Sequence, residues 1–142
     1  IFNNEEKYLI KQKYVDAGIK SELFDFDDQL FKKINDYDLA ISRSGASAVA
    51  ELAFLNIPFI AIPFPFAKDD HQYFNAKFYE SSNSCWLIRQ DNLDINKLVD
   101  LIARIFTEKK EYFNKKENLE KISNQNTWNN VNKKLIDLIN EN

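Results

Sequence analysis

The hydrophobic and polar positions along the chain follow two alternating patterns. Short runs that are almost wholly apolar predict strands, and longer stretches with apolar residues at helical spacing predict helices. The predicted strands are residues 19–26, 38–42, 58–64 and 84–88. The predicted helices are residues 5–17, 27–35, 46–55, 70–81, 94–106, 109–122 and 127–139.

This alternation of strands and helices indicates an α/β fold. Strands that are apolar on both sides belong to a parallel sheet with helices on both of its faces. Right-handed crossovers then bring every strand-to-helix turn to the same edge of the sheet, where open α/β sheets bind their ligands. The turns after the strands are therefore the places to look for chemistry.

Composition and charge narrow the function classes. The length of 142 residues corresponds to one domain or part of one. The net charge of −3 gives no basic excess for nucleic acid or an anionic membrane, and the longest apolar run, residues 57–67, is too short to span a bilayer. The single cysteine, Cys85, excludes an internal disulfide and fits a reducing compartment. The first residues lack the basic and apolar regions of a signal peptide.

The first informative turn lies in residues 42–51, with the sequence SRSGASAVAE. The N–H groups that begin the following helix favour an anion such as phosphate, and Ser44 or Ser47 could add a hydroxyl donor. Gly45 is one of only two glycines, so we expect the backbone to require it there. Glu51 shares a helix face with Ser47, where its carboxylate could accept from ribose hydroxyls. A Ser-capped helix with a solvated Glu51 is the alternative.

The second informative turn lies in residues 63–75, with the sequence PFPFAKDDHQYFN. Its carboxylates, imidazole and amides suit sugar hydroxyls, which both donate and accept. Asp69 and Gln72 also have the spacing of a capping box, and Asp69, Asp70 and His71 could be metal ligands. His71 is the sole histidine and hence the natural candidate for a base within this chain. No Ser or Cys has an evident activating partner, which argues against a hydrolase triad.

Taken together, the two turns resemble the MurG glycosyltransferases of family 28. The resemblance rests on DLAISRSGASAVAELA, residues 38–53, followed by IPFIAIPFPFAKDDHQYFNA, residues 57–76. It implies the carboxy-terminal half of a GT-B fold, a Rossmann-like parallel sheet flanked by helices. Residues 1–142 would be a partial domain that binds UDP-N-acetylglucosamine (UDP-GlcNAc). The domain's first strand, its phosphate loop and the amino-terminal acceptor domain would lie outside the chain, in agreement with the absence of Met.

The resemblance also implies a reaction. Enzymes of this family transfer GlcNAc from UDP-GlcNAc to the lipid-linked muramoyl-pentapeptide, converting lipid I to lipid II, in an inverting displacement during peptidoglycan synthesis. We expect no cofactor, no metal and no nucleic-acid partner. The parent protein would be cytoplasmic and peripheral on the inner face of the bacterial plasma membrane, with any membrane contact made by the parent. The catalytic base would belong to the acceptor domain, so we expect these 142 residues alone to be inactive.

Particular residues match the family's binding positions. Phe26 falls where the family contacts the uracil, Glu51 falls on the carboxylate that binds ribose, and Gln72 falls on the amide that reads the GlcNAc hydroxyls, with His71 and Asn75 beside it. The residues that fall next to the diphosphate and sugar are Ser44, Gly45, Ala46, Ser47 and Ala48. Arg43 matches the motif too, and either touches phosphate or braces the turn.

Two other functions stay open at this point. The chain could be the donor subunit of a two-chain UDP-GlcNAc transferase, or a non-catalytic module that binds a nucleotide sugar. The apolar stripe predicted in residues 127–139 packs either on a second domain or on the chain's own sheet.

Overall fold

The computed structural model describes residues 3–27 and 30–125, which fall in two compact units, Ile1–Ile34 and Asn35–Asn142. The first unit contains helices α1 (Asn4–Asp16) and α2 (Leu30–Lys33). Asn3 and Glu6 form a capping box at the start of α1, which explains why the helix begins there. Gly18 follows α1 with a φ of 68°, a left-handed conformation that glycine adopts without steric cost.

The strand predicted for residues 19–26 does not form. Residues 19–27 follow α1 without regular secondary structure. A strand exists only where a neighbouring strand accepts and donates its ladder hydrogen bonds, and the described residues of the first unit contain no other strand. The prediction of a strand from the apolar residues of this segment is therefore wrong.

The second unit contains a parallel sheet, as the sequence predicts. Within residues 35–125 its strands are β1 (Ala40–Ser42), β2 (Phe59–Ala61) and β3 (Trp86–Leu87), in the order β1-β2-β3. Ile41 lies opposite Ile60, and Ile60 lies opposite Trp86. The strands are shorter than predicted, and proline, which has no N–H to give to a ladder, flanks β2 at Pro58 and Pro63.

Helices connect and follow these strands. They are α3 (Ala46–Phe54), α4 (His71–Ser81), α5 (Ile95–Thr107) and α6 (Lys109–Gln125), with short 3-10 turns at Ile34–Asp36, Lys68–Asp70 and Gln90–Asn92. The Asp94 side chain caps α5 by accepting from the N–H groups of Asn96 and Lys97. The predicted segment 127–139 lies outside the described residues.

The central strand β2 is buried on both faces. Ile60 packs with Trp86 and with Ile105 of α5 on one side. On the other side Phe59 meets Tyr79 of α4 edge to face, with ring centroids 5.6 Å apart. Phe59 and Ile60 are both fully inaccessible to solvent. The prediction of a sheet with apolar residues on both faces is therefore confirmed.

A buried lysine joins α6 to the sheet, which the sequence pattern did not predict. Lys115 Nζ donates to Asn83 Oδ1 at 2.8 Å and to the carbonyl of Cys85 at 3.0 Å. It also lies 5.0 Å from the centroid of the Trp86 ring. Desolvation lowers the pKa of Lys115.

Among the described residues, no helix is both long and apolar enough to cross a membrane.

Because of Cys85, we expect the fold to become less stable as the pH rises into the alkaline range. Burial raises the pKa of its thiol from 9.0 to about 12. The unfolded chain therefore loses this proton first, and stability falls as the pH rises from about 9 toward 12. We expect the free energy of unfolding to fall more steeply over this range than in Cys85→Ala, by up to about 1.4 kcal/mol per pH unit. Denaturant unfolding at a series of pH values measures both slopes, and equal slopes would contradict this prediction.

Candidate functional site

The turns that follow β1 and β2 are in direct contact. The Ser44 hydroxyl donates to the carbonyl of Gln72 at 2.8 Å, and the Asn75 amide donates to the carbonyl of Ser44 at 3.1 Å. Ser44 is fully buried, so water does not compete for these bonds. The structure thus brings the two sequence motifs together at the carboxyl edge of the sheet.

Arg43 braces the second turn. Its Nη1 donates to the carbonyls of Ile62 at 3.2 Å and Pro63 at 3.1 Å, and its Nη2 donates to Gln90 Oε1 at 2.7 Å. The guanidinium carbon also lies 5.7 Å from the centroid of the Phe64 ring. Of the two roles that the sequence left open for Arg43, the geometry supports the bracing one.

The start of α3 is open to an anion. Gly45 is its N-cap, and no described side chain caps the first N–H groups of the helix. The alternative of a Ser-capped helix is therefore wrong, since the Ser44 hydroxyl is engaged with Gln72 instead. The N–H groups of Ala46, Ser47 and Ala48 precede the first intrahelical bond, which Val49 donates to Gly45. They present the positive end of the helix dipole.

Gly45 is not required by backbone conformation, contrary to expectation. Its φ is −59°, which any residue adopts, and a Cβ built on it meets nothing within 4 Å. Gly18, with its positive φ, is the glycine that the backbone does require. The space beside Gly45 is therefore open, and it lies at the uncapped end of α3.

The start of α4 differs from the predicted capping box. Asp69 and Asp70 both adopt the left-handed conformation with φ of 53°, and neither side chain caps the helix. Gln72 Oε1 instead accepts from the N–H of Phe64 at 2.9 Å. Because an N–H can only donate, this bond assigns the amide orientation and leaves Gln72 Nε2 as a donor.

The tautomer of His71 follows from its neighbour. His71 Nδ1 lies 2.7 Å from the carbonyl oxygen of Lys68. A carbonyl oxygen only accepts, so Nδ1 carries the proton and Nε2 of the neutral ring is an acceptor. The exposed His71 ring and the Gln72 amide thus offer one acceptor and one donor group on consecutive residues of α4.

A third turn completes the site, and sequence analysis missed it. Arg89 and Gln90 follow β3 after one intervening residue, so they lie at the same sheet edge. Arg89 pairs with Asp70 of the second turn, and Gln90 accepts from Arg43 of the first. The signal that could have found them was their position, a polar pair directly after the last predicted strand.

Two predicted site residues have exposed side chains. Glu51 is exposed one turn into α3. Phe26 belongs to the first unit, where its side chain is 84% exposed. Within residues 3–27 and 30–125, no three His, Cys, Asp or Glu side chains meet in a way that could hold a metal ion. The alternative of a metal at Asp69, Asp70 and His71 therefore has no support.

Comparison with known proteins agrees with these motifs. Residues 3–133 match a family model described as the glycosyltransferase family 28 C-terminal domain. A relative from Pelagibacter ubique is 44% identical over 132 residues, which are 93% of this chain and 37% of the relative. A relative from Wolinella succinogenes is 41% identical over 72% of this chain and 30% of its own length. Both are named UDP-N-acetylglucosamine–N-acetylmuramyl-(pentapeptide) pyrophosphoryl-undecaprenol N-acetylglucosamine transferase.

A solved structure has the same fold. The crystal structure of Acinetobacter baumannii MurG matches with a TM-score of 0.68 at 24% identity, over 99% of this chain and 40% of that protein. The chain thus spans 30–40% of the length of these proteins.

Proposed function

The chain belongs to the glycosyltransferase family 28 C-terminal domains, and we propose that it forms the donor-binding part of an enzyme that transfers GlcNAc from UDP-GlcNAc to a lipid-linked muramoyl-pentapeptide. The observation that carries this proposal is the contact between the two turns, in which the Ser44 hydroxyl donates to the Gln72 carbonyl at 2.8 Å. Because the turns touch, one ligand can reach both the start of α3 and the Gln72 amide.

The start of α3 would bind the diphosphate. The N–H groups of Ala46, Ser47 and Ala48 are the donors there. The hydroxyl of Ser47, which is exposed in the first turn of α3, would be one more donor. Ser44 would act through its backbone and by joining the turns, because its hydroxyl is already engaged. Negative charge grows on the leaving diphosphate, and fixed N–H dipoles stabilise it without reorganisation.

The start of α4 would bind the hexose. Phe64 holds the Gln72 amide so that Nε2 donates, and Lys68 holds the His71 ring so that Nε2 accepts. Sugar hydroxyls donate and accept, so these two groups complement them. Asn75 fixes the first turn to this helix through the Ser44 carbonyl. Fixing both halves of the donor also fixes its anomeric carbon for attack.

The remaining donor contacts rest on the resemblance in sequence. Glu51 would accept from the ribose hydroxyls, and its exposed carboxylate on α3 is accessible to a ligand. Phe26 would lie against the uracil. The reaction would be an inverting displacement in which the acceptor hydroxyl attacks, UDP leaves and a β linkage forms. We assign the base to a part of the enzyme outside these residues, and we assign no metal or cofactor.

The acceptor implies a location. A pyrophosphoryl-undecaprenol acceptor, as in the names of the relatives, resides in a membrane, so the parent enzyme would act at a membrane surface. The inner face of the plasma membrane is the location that the resemblance in sequence implies. The alternatives of a separate donor subunit and of a non-catalytic binding module stay predictions. A gene that encodes both domains, together with turnover by its product, would exclude both.

Titration calorimetry of the full protein that the gene encodes tests the proposal. We expect it to bind UDP-GlcNAc and to bind ADP-glucose at least about tenfold more weakly, which corresponds to 1.4 kcal/mol. Equal affinity for the two sugar nucleotides would refute the proposed function.

Glu51→Ala is expected to weaken UDP-GlcNAc binding by about 1–3 kcal/mol, the scale of a lost hydrogen bond to a charged group. Glu51→Gln serves as the matched control, because it keeps the side-chain length and removes the charge, and we expect a smaller loss. Since Glu51 is exposed, thermal unfolding of both variants should match the unmodified protein. An unchanged affinity in Glu51→Ala would remove Glu51 from the site.

A further inference from the structure

The segment that starts α4 is held in a strained conformation. Asp69 and Asp70 are consecutive non-glycine residues with φ of 53°. Aspartate tolerates this left-handed region better than most residues, but the conformation still costs free energy and persists only where surrounding contacts hold it. The N–H of Asp70 donates to the carbonyl of Ala67 at 3.0 Å, which is a local contact within the same turn.

Arg89 supplies a contact to Asp70 from outside the turn. Its Nη2 lies 3.2 Å from Asp70 Oδ2, and its guanidinium carbon lies 4.4 Å from the centroid of the Tyr73 ring. One side chain from the end of β3 thus holds both the last residue before α4 and the first turn of that helix. The neighbouring Gln90 is itself held by Arg43 at 2.7 Å, which anchors the backbone from which Arg89 extends.

We propose that Arg89 is a positioning residue for hexose recognition, acting through Asp70 and Tyr73 on the amide of Gln72. This inference rests on the proposed function. Gln72 lies two residues after Asp70 and directly before Tyr73, so the residues that Arg89 holds bracket it. A change in the direction of this first helical turn would move Gln72 Nε2 relative to the sugar. The open start of α3, which we assign to the diphosphate, belongs to another turn and would keep its position.

Because the ion pair of Arg89 and Asp70 is partly exposed, its effect on the position of Gln72 can be measured apart from any effect on stability. The side chains of Arg89 and Asp70 are 43% and 35% exposed. Solvent and salt screen such a pair, so it contributes little to the free energy of unfolding. Its loss should therefore change the geometry of one turn and leave the fold intact.

Arg89→Ala in the full protein tests the inference by titration with UDP-GlcNAc, UDP-GalNAc and UDP. UDP-GalNAc differs from the donor by the inversion of one hydroxyl, so its affinity relative to UDP-GlcNAc reports sugar recognition. We expect that ratio to fall about three- to tenfold, the scale of one displaced hydrogen bond, while the affinity for UDP stays within about twofold. Arg89→Lys keeps the charge near Asp70 and Tyr73 and should retain most of the selectivity.

Arg104→Ala is the matched control, because Arg104 forms a similarly exposed ion pair with Glu111 elsewhere in the fold. It should leave the selectivity and the UDP affinity unchanged. An Arg89→Ala variant with unchanged selectivity, or with equal losses for all three ligands, would overturn the inference. Failure of the unmodified protein to prefer UDP-GlcNAc over ADP-glucose would instead overturn the proposed function.

Discussion

Gly45→Asp is expected to stabilise the fold and to abolish most donor binding at the same time. An N-cap aspartate accepts hydrogen bonds from the first N–H groups of a helix, which Gly45 cannot do, and its charge complements the helix dipole. The φ of −59° and the open space around a built Cβ both permit the substitution. We expect a gain of a few tenths to about 1 kcal/mol in the free energy of unfolding.

The same carboxylate would occupy the N–H groups that we assign to the diphosphate and would repel its charge. We expect the affinity for UDP-GlcNAc to fall at least about tenfold, since each lost charge-assisted bond is worth about 1.5–3 kcal/mol. Thermal unfolding and titration calorimetry measure the two effects. Gly45→Asn is the matched control, because it caps without charge, so we expect a similar stability and a smaller loss of affinity. A Gly45→Asp variant that binds the donor normally would remove the start of α3 from the site.

Phe59→Ala is expected to cost about 3–5 kcal/mol of folding free energy, the range for a large aromatic residue removed from a packed core. Phe59 is fully inaccessible to solvent in the central strand, and its ring meets Tyr79 edge to face. Its loss opens a cavity between β2 and α4, the helix that carries Gln72. Because the total free energy of unfolding of a small domain is about 5–15 kcal/mol, this loss is a large part of the stability.

Urea unfolding followed by circular dichroism measures this cost. Phe54→Ala is the control of the same residue type, because Phe54 lies on α3 with 78% of its surface exposed. We expect that control to change the free energy of unfolding by less than about 0.5 kcal/mol. A Phe59→Ala loss below about 1 kcal/mol would show that β2 is not the centre of the core.

Most helices and the sheet's direction could be predicted because their causes are local or periodic. Asp94 caps α5 through N–H groups only two and three residues away, and that pattern is visible in the sequence. The apolar run that becomes β2 is flanked by prolines that mark its ends. Strands separated by helices can pair in parallel without strain, so the element order already implied the sheet's direction.

The errors on the strand at residues 19–26, the Ser cap and the capping box share a cause, because each depended on a partner distant in sequence. Residues 19–26 have a strand's composition but no described strand to pair with in their unit. Gln72 has the spacing of a capping box, yet its amide binds Phe64, and Ser44 binds Gln72 although 28 positions separate them. Local rules weigh only the partners within a helical turn.

The amino-acid sequence by itself determined most of the order of helices and strands, the sheet edge where the turns meet and the two motifs on which the proposed nucleotide-sugar site rests. Only the tertiary structure decided that Arg43 braces a turn, that Gly45 leaves open space and that Arg89 holds the start of α4. The spacing of apolar residues in a segment predicts whether it forms a helix or a strand and which of its faces is buried. The direction of a polar side chain is decided by donors and acceptors that the folded chain brings from elsewhere.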